Sequence, residues 1–530
     1  MSLVGVMALL HAVAAAAEPA FDLIEAFVPY RNAPGPSIRG EPSSIAQSVG
    51  SGVCVLDFDL DGLWDLFFPD GREQKLFQGQ GELRFGDVTA PSGLASQGWS
   101  TGCAVTDVDN DGDPDLYVTR LGKNALYRNE GDGTFEATDA GVEHSSWSTG
   151  AAFADLDLDS LPDLYVCGYV DLTRVDLRAR CSYFGVEVFC GPNGLPGAPD
   201  HLYRNLDGRR FQDVTRDSGV DSPDLMGFNA LLADLDGDRL PEIHVANDAA
   251  MDLLFKNRGG FRFEDVSLLS GAGYSALGME QSGMGSAAGD YDSDGDLDLY
   301  VTNFQRDYNT LYRNEGGLSF QDVTSRAGLA LPTLSYLGWG SHFLDVGNDG
   351  ALDLFIANGH IYPELEKHPE VGEPYRQRAQ LFRGDGQGGF REAQPAARTP
   401  ERLGRGTAVS DLNDDGALDV VVNNLGGAPD LYRARSPKGT FLRLRLAGTT
   451  SHRDGLGASA LLRTASGERR GELRLSDGFL GSNEPVVHFG LGEERASVLE
   501  VRWPSGIVDR CENPEPDRTY WVKEGSGCLP

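Results

Sequence analysis

The sequence predicts an all-β protein: a seven-bladed β-propeller followed by a small second β-domain. Three observations predict it. A nine-residue acidic motif recurs seven times between residues 57 and 419. Around each copy lie runs of four to six residues rich in Val, Tyr, Phe and Thr, bounded by Gly, Asn and Asp. After about residue 437 the motif stops and short alternating apolar and polar runs take over. Self-similarity on this scale marks a repeat architecture. About four short strands per repeat is what a propeller blade contains.

The acidic motif fixes the chemistry. Its copies read DFDLDGLWD from Asp57, DVDNDGDPD from Asp107, DLDLDSLPD from Asp155, DLDGDRLPE from Asp234, DYDSDGDLD from Asp290, DVGNDGALD from Asp345 and DLNDDGALD from Asp411. Oxygen side chains stand at positions 1, 3, 5 and 9, with one lapse. Carboxylates this dense repel one another unless a cation sits among them. Calcium takes six to eight oxygens in a flexible shell and is the natural partner. The expected ligands are Asp57, Asp59, Asp61 and Asp65; Asp107, Asp109, Asp111 and Asp115; Asp155, Asp157, Asp159 and Asp163; Asp234, Asp236, Asp238 and Glu242; Asp290, Asp292, Asp294 and Asp298; Asp345, Asp349 and Asp353; and Asp411, Asn413, Asp415 and Asp419. Up to seven Ca²⁺ follow, with the site at Asp345 weakest because Gly347 removes its third ligand. Two further copies depart from the pattern: Ser160 and Arg239 replace the glycine of position 6, which suits a left-handed turn.

An EF-hand opens in the same way but needs Glu at position 12 and flanking helices. Position 12 is Phe68, Val118, Val166 and Val301 in four copies, and the flanks read as strands. A solvated acidic turn explains one such loop, not seven in register. The net charge of −35 supports a structural role for the metal, since stripping it would leave the loops to repel one another.

Each copy is preceded by a Gly-led apolar run such as STGCAVTD. It is followed by PDLYVT-like and LYRN…FQDVT-like segments. The last copy is followed by only two strand candidates, LDVVVN and DLYRA. FDLIEAFVP at residues 21–29 sits where other blades have FQDVT, so the N-terminal strand is expected to close the last blade and remove its exposed edge. The domain reading is therefore a signal peptide at 1–17, a propeller at 18–436, a β-domain at 437–525 and a tail at 526–530. The leader is apolar and ends Ala-Ala-Ala before Glu18, which fits export; no Lys or Arg precedes the run. No other stretch is long and apolar enough to span a membrane.

Of the seven cysteines, Cys181 and Cys190 bracket SYFGVEVF inside an insertion, and Cys511 and Cys528 bracket the C-terminal end. Both pairs are expected as disulfides in an oxidising compartment. Cys54 and Cys103 lie on equivalent first strands but one residue apart in register. They should face opposite ways and, with Cys167, are expected as buried thiols.

The LYRN and FQDVT segments resemble FG-GAP/VCBS repeats, the integrin-α type of propeller. SHRDGLGASALLRT, VVHFGLG and LEVRWPSG resemble the ASPIC/UnbV domain. With WGSHFLDVGNDGALDLFIANGHIYPELE and CSYFGVEVFCGPNG, the chain resembles the cartilage acidic protein family, in a bacterial-type form without an EGF module. LSDGFLGSN replaces the serine-rich run expected there. The resemblance implies a calcium-stabilised extracellular propeller, secreted, periplasmic or at the cell surface, with a binding or adhesion role towards a protein or glycan.

No HExxH, GxSxG, P-loop or CxxC occurs, so no catalytic residue is assigned. The alternative is a lyase-like carbohydrate-active enzyme on the same scaffold. It would need a base and an arginine converging in a cleft, and NGHIYPELEKHPE, with His360 and Tyr362, is the possible ligand loop. Trp99, Trp147 and Trp339 recur ahead of first strands and read as interblade packing. The acidic balance disfavours nucleic acid.

Overall fold

The computed structural model describes residues 20–33, 44–95, 98–222, 224–435 and 438–529. The leader expected at 1–17 lies outside them. Seven four-stranded antiparallel blades follow in order round an axis, the second and third joined into one eight-stranded sheet where Ser145–Trp147 pairs with Leu121–Lys123. The first runs Cys54–Leu56, Asp65–Phe68, Lys75–Gly79, Phe85–Asp87. The seventh takes three strands from Gly404–Ser410, Asp419–Asn424 and Asp430–Ala434, and its fourth is Phe21–Glu25, paired antiparallel with Asp430–Ala434. The N-terminal strand ends at Glu25, just before Ala26 in left-handed backbone, earlier than the sequence run suggests. Phe21 is fully buried against Phe355 and Tyr432, which anchors the closure.

The innermost strands are rich in glycine because seven backbones converge on one axis. A Cβ at Gly406 would run into the backbone of Gly52, and one at Gly285 into the carbonyl of Trp339. Side chains tie neighbouring blades where backbones meet: Thr101 Oγ1 donates to Ser148 O at 2.8 Å, and Thr302 Oγ1 donates to Trp339 O at 2.6 Å. Apolar clusters lie between adjacent sheets, as the packing of Leu56 and Phe67 with Val105 and Val118 shows for the first pair.

One correction concerns cysteine. Cys54 and Cys103 form a disulfide, with Cα atoms 6.2 Å apart, and only Cys167 is a free buried thiol among the described residues. The one-residue offset puts the two side chains on opposite faces of equivalent strands, which bars pairing within one sheet. Between adjacent blades it is the requirement, because one sheet's rear face meets the next sheet's front face. Cys181–Cys190 and Cys511–Cys528 are also disulfides.

The insertion after the third acidic loop folds as a hairpin, Arg180–Tyr183 with Val186–Phe189. Val186, Val188 and Phe189 pack with Trp147, Trp339 and Tyr362 in a cluster that closes one end of the axis. The second domain is a sandwich of two four-stranded sheets. One contains Thr440–Ala447 parallel to Arg518–Lys523. Gly527–Leu529 pairs with Trp521–Lys523, so this domain continues into what was set aside as a tail.

The second domain plugs the other end of the axis. Its segment 477–484 enters between innermost strands: Gly478 and Ser286 exchange backbone hydrogen bonds at 2.8 and 3.1 Å, and Val55 N donates to Ser482 O at 3.0 Å. Phe479 is fully buried, 5.0 Å from the Trp339 ring. This is the LSDGFLGSN run.

Candidate metal centres

Every innermost strand ends just before position 1 of a motif, and every second strand starts at position 9. The loop between is a tight reversal. Position 6 has left-handed backbone in all seven copies, including Ser160 and Arg239, at φ 75° for each. A non-glycine residue there costs about 1 kcal/mol. The turn is thus imposed by the loop and not by its glycine alone.

Backbone hydrogen bonds shape the loop from within. In the copy at Asp107, that carboxylate accepts from Asp111 N at 3.1 Å and Gly112 N at 2.8 Å. Asp111 accepts from Asp113 N at 3.1 Å. Asp115 accepts from Val108 N at 3.0 Å and, across to the third strand, from Asn129 N at 2.9 Å. The same bonds from position 9 recur at Asp65, Asp163, Glu242, Asp298, Asp353 and Asp419. Positions 1, 5 and 9 therefore do structural work before any ion is considered.

Position 3 differs: its carboxylate projects inward to the others. Groups of carboxylates with ligand atoms within 4.8 Å of one another form at Asp57, Asp59 and Asp61; Asp107, Asp109 and Asp115; Asp155, Asp157 and Asp163; Asp234, Asp236 and Asp238; and Asp290, Asp292 and Asp294. Expected ligands outside these groups are Asp65, Asp111, Asp159, Glu242 and Asp298, which stand beside them in the same loops. The loops at Asp345 and Asp411 form no such group among the described residues. Buried oxygens with no hydrogen-bond partner remain at Asp59, Asp109, Asp157, Asp234, Asp290, Asp292 and Asn413. An unsatisfied buried acceptor costs roughly 1–3 kcal/mol. A hard divalent cation satisfies these oxygens together, so several loops fit a metal ion.

Electrostatics agree. Burial pushes Asp65 and Asp115 up to about 8 and Asp298 to about 9, and the neighbouring carboxylates add to the effect. The LYRN-type segment supplies partial compensation: Arg204 lies 2.5 Å from Asp157, Arg128 pairs with Asp109, and Lys256 pairs with Asp236.

Sequence reasoning missed two sets of residues. The asparagine of LYRN staples blades: Asn129 Nδ2 donates to Phe58 O at 2.7 Å, Asn205 to Val108 O at 2.9 Å, Asn257 to Leu156 O at 2.9 Å and Asn314 to Leu235 O at 2.8 Å. Its recurrence in the repeat was the available signal. The other set comes from the second domain, which sits on the acidic loops. His452 Nε2 meets Asp107 O at 2.9 Å, Arg470 N donates to Asp290 at 3.0 Å, and Arg443 pairs with Asp411 at 2.9 Å.

The possible ligand loop requires correction. His360 is fully buried and Tyr362 nearly so. His360 Nδ1 accepts from Tyr362 N at 3.1 Å, and Nε2 lies 3.5 Å from Glu373. The inserted hairpin covers both residues, so neither faces a ligand. Trp147 and Trp339 pack in the same buried cluster, with Trp99 against its edge.

The model of the FG-GAP-like repeat matches residues 57–118, 107–166, 234–301 and 290–356, and that of ASPIC and UnbV matches residues 448–528. This is an FG-GAP repeat chain with an ASPIC/UnbV domain. Cartilage acidic protein 1 of Xenopus tropicalis is 28% identical over 279 residues, covering 50% of this chain and 40% of the relative. The Homo sapiens protein of that name is 27% identical over 338 residues, covering 60% of this chain and 46% of the relative. The matches thus span less than half the length of these relatives. The resemblance to the cartilage acidic protein family holds at that level. Among solved structures, an Agrocybe aegerita lectin that recognises non-reducing terminal N-acetylglucosamine aligns at TM-score 0.40 and 15% identity, over 72% of this chain and 87% of its own. YCF48 bound to a D1 peptide aligns at TM-score 0.44 and 9% identity, over 79% and 97%. The ASPIC/UnbV domain is the element that plugs the FG-GAP propeller and covers its acidic loops.

Proposed function

We propose that this chain is an exported binding protein whose calcium-stabilised propeller is a scaffold for recognising an extracellular protein or glycan. The observation that carries the reading is the set of partnerless buried oxygens in converging acidic loops. Position 1, 3 and 5 side chains would hold the ion, with position 9 completing the shell in the loops at Asp107 and Asp155. The bound ion supplies charge neutralisation and oxygen coordination. The chain's own residues do the rest: positions 1, 5 and 9 hold the strands in register, and the LYRN asparagine fixes one blade to the previous one.

All-oxygen donors in flexible loops favour Ca²⁺ over Mg²⁺, which demands near-ideal octahedral geometry. Three disulfides support an oxidising compartment. No helix among the described residues is long and apolar enough to cross a membrane. The lyase alternative loses its nominated base, since His360 and Tyr362 are enclosed. The test is thermal unfolding of the full chain after chelation. Tm should fall by about 10 °C or more, since several sites each add roughly 1.4 kcal/mol at tenfold their Kd. Calcium should restore it and equimolar magnesium should not. An unchanged Tm after chelation sinks the reading.

A further inference from the structure

A groove runs along the seam between the first blade and the ASPIC/UnbV domain, and it is built unlike the rest of that seam. Arg445 stands between two indoles, its guanidinium 5.2 Å from the Trp64 ring and 5.7 Å from the Trp521 ring. Elsewhere on the seam Arg443 pairs with Asp411 and Glu484, Arg470 with Asp234 and Arg474 with Asp477. Arg445 makes no ion pair or hydrogen bond among the described residues, and its Nε is buried without a partner. Burying a donor without an acceptor is unfavourable, so the site is incomplete as it stands.

The trio divides the groove into two lobes, of about 270 and 170 Å³. Trp521 is 51% exposed, so much of its indole stays open to solvent beside Arg445. Leu60 lines the smaller lobe, 56% exposed and in left-handed backbone at φ 56°. Neither packing nor conformation favours a leucine there; in the equivalent place Leu158 is at least half-buried. The larger lobe carries Glu82, Asp414 and Thr519 as acceptors and donors.

We propose that this groove binds a neutral saccharide, which deepens the binding role proposed above and rests on it. An open indole face takes the C–H face of a sugar ring, as an aromatic body with a wet edge does. Sugar hydroxyls donate to Glu82 and Asp414 and accept from the Nη groups of Arg445 and from Thr519. An anionic ligand would meet these carboxylates and the net charge of −35. A stable protein interface needs about 800 Å² on each partner, whereas these lobes are the size of a small-ligand site.

The test uses the full calcium-loaded chain and a panel of cello-, xylo-, manno-, laminari- and chito-hexasaccharides, with a glucuronate hexasaccharide and an Asp-rich decapeptide alongside. Binding of a neutral hexasaccharide is expected. Trp521→Ala should weaken it about tenfold or more, as truncation of a central aromatic does, with Tm unchanged. Leu60→Glu, at an exposed position, is the second variant and should weaken it too. Arg445→Lys should also weaken it by removing the planar fork. A chain that melts in a calcium-dependent way yet binds none of the neutral sugars overturns this inference alone. So does preference for the glucuronate or the peptide, or neutral-sugar binding that survives both Trp521→Ala and Leu60→Glu. Loss of the calcium effect on melting counts instead against the earlier reading.

Discussion

The loops that begin at Asp107 and Asp345 share one strand–loop–strand frame and differ at one position. In both, the first carboxylate accepts from the backbone of positions 5 and 6, and the ninth links the loop to the second and third strands. At position 3 one loop has Asp109 and the other Gly347. Asp109 keeps a buried oxygen without a hydrogen bond. In the other loop Arg383 lies 2.9 Å from Asp353 and 3.4 Å from Asp349, and a side chain at Gly347 would run into its guanidinium. Both loops take an arginine from the third strand, Arg128 against Asp109 in one and Arg383 against Asp353 and Asp349 in the other, but only the first keeps a buried carboxylate oxygen that its arginine leaves unsatisfied. Positions 1, 5 and 9 make the frame, and position 3 decides whether an ion is needed.

The largest effect that sharpens this comparison is the pH dependence of the metal-free chain. Asp65, Asp115 and Asp298 are raised to about 8, 8 and 9, and burial is the main cause. A carboxyl raised in the folded state binds its proton more tightly there than when unfolded. The stability it costs is therefore greatest above the folded value and is regained as pH falls towards the unfolded value of about 4. The stripped chain should gain stability from pH 9 to pH 5. The calcium-loaded chain should lose it over the same interval, because protons displace the metal. Melting curves at five pH values with and without chelator check this. Parallel slopes would break the argument.

Next in size is a pair of substitutions. In saturating calcium, Asp109→Ala should remove one ion, worth several kcal/mol if that site sits at 100 to 1,000 times its Kd. Tm should fall by about 5–10 °C. Asp349→Ala removes a half-exposed carboxylate that accepts from Ala351 N at 3.1 Å and whose arginine retains Asp353, and should cost about 1 kcal/mol, with no ion lost. Equal losses would show that the two loops are not different in kind. Native mass spectrometry should count one ion fewer in the first variant and an unchanged number in the second.

Much of the frame was legible in the sequence because it is periodic. Seven acidic motifs, seven Gly-led runs and a missing fourth strand in the last repeat give seven blades and an N-terminal closure. The relations across periods were not legible. Alternation along Cys54–Leu56 and Ser100–Thr106 says which face a cysteine takes, but only the stacking of neighbouring blades says that opposite faces meet. LSDGFLGSN looked like a departure from a resemblance. Its role as an axial plug depends on where a separate domain docks, and no local pattern encodes that. His360 and Tyr362 stand out in an acid-rich loop, yet the hairpin that covers them lies some 175 residues earlier in the chain.

The smallest effect concerns the frame alone. Asn205 Nδ2 donates to Val108 O at 2.9 Å and Pro162 O at 3.2 Å, joining its own loop to the previous blade's. The seventh blade has Ala434 in the corresponding place, and the backbone N–H of Ala434 still reaches Asp419 at 2.7 Å. The staple is therefore an addition to the frame and not a condition for it. Asn205→Ala leaves two buried carbonyls short of one donor each and should cost about 1–3 kcal/mol. Asn205→Asp should cost more, since it places a carboxylate against both carbonyls in a loop already crowded with negative charge. If calcium affinity at the Asp155 loop is unchanged by Asn205→Ala while stability falls, frame and ion site are separable. A fall in affinity would show that the staple also positions Asp163, whose Oδ1 accepts from Asn205 N at 2.9 Å.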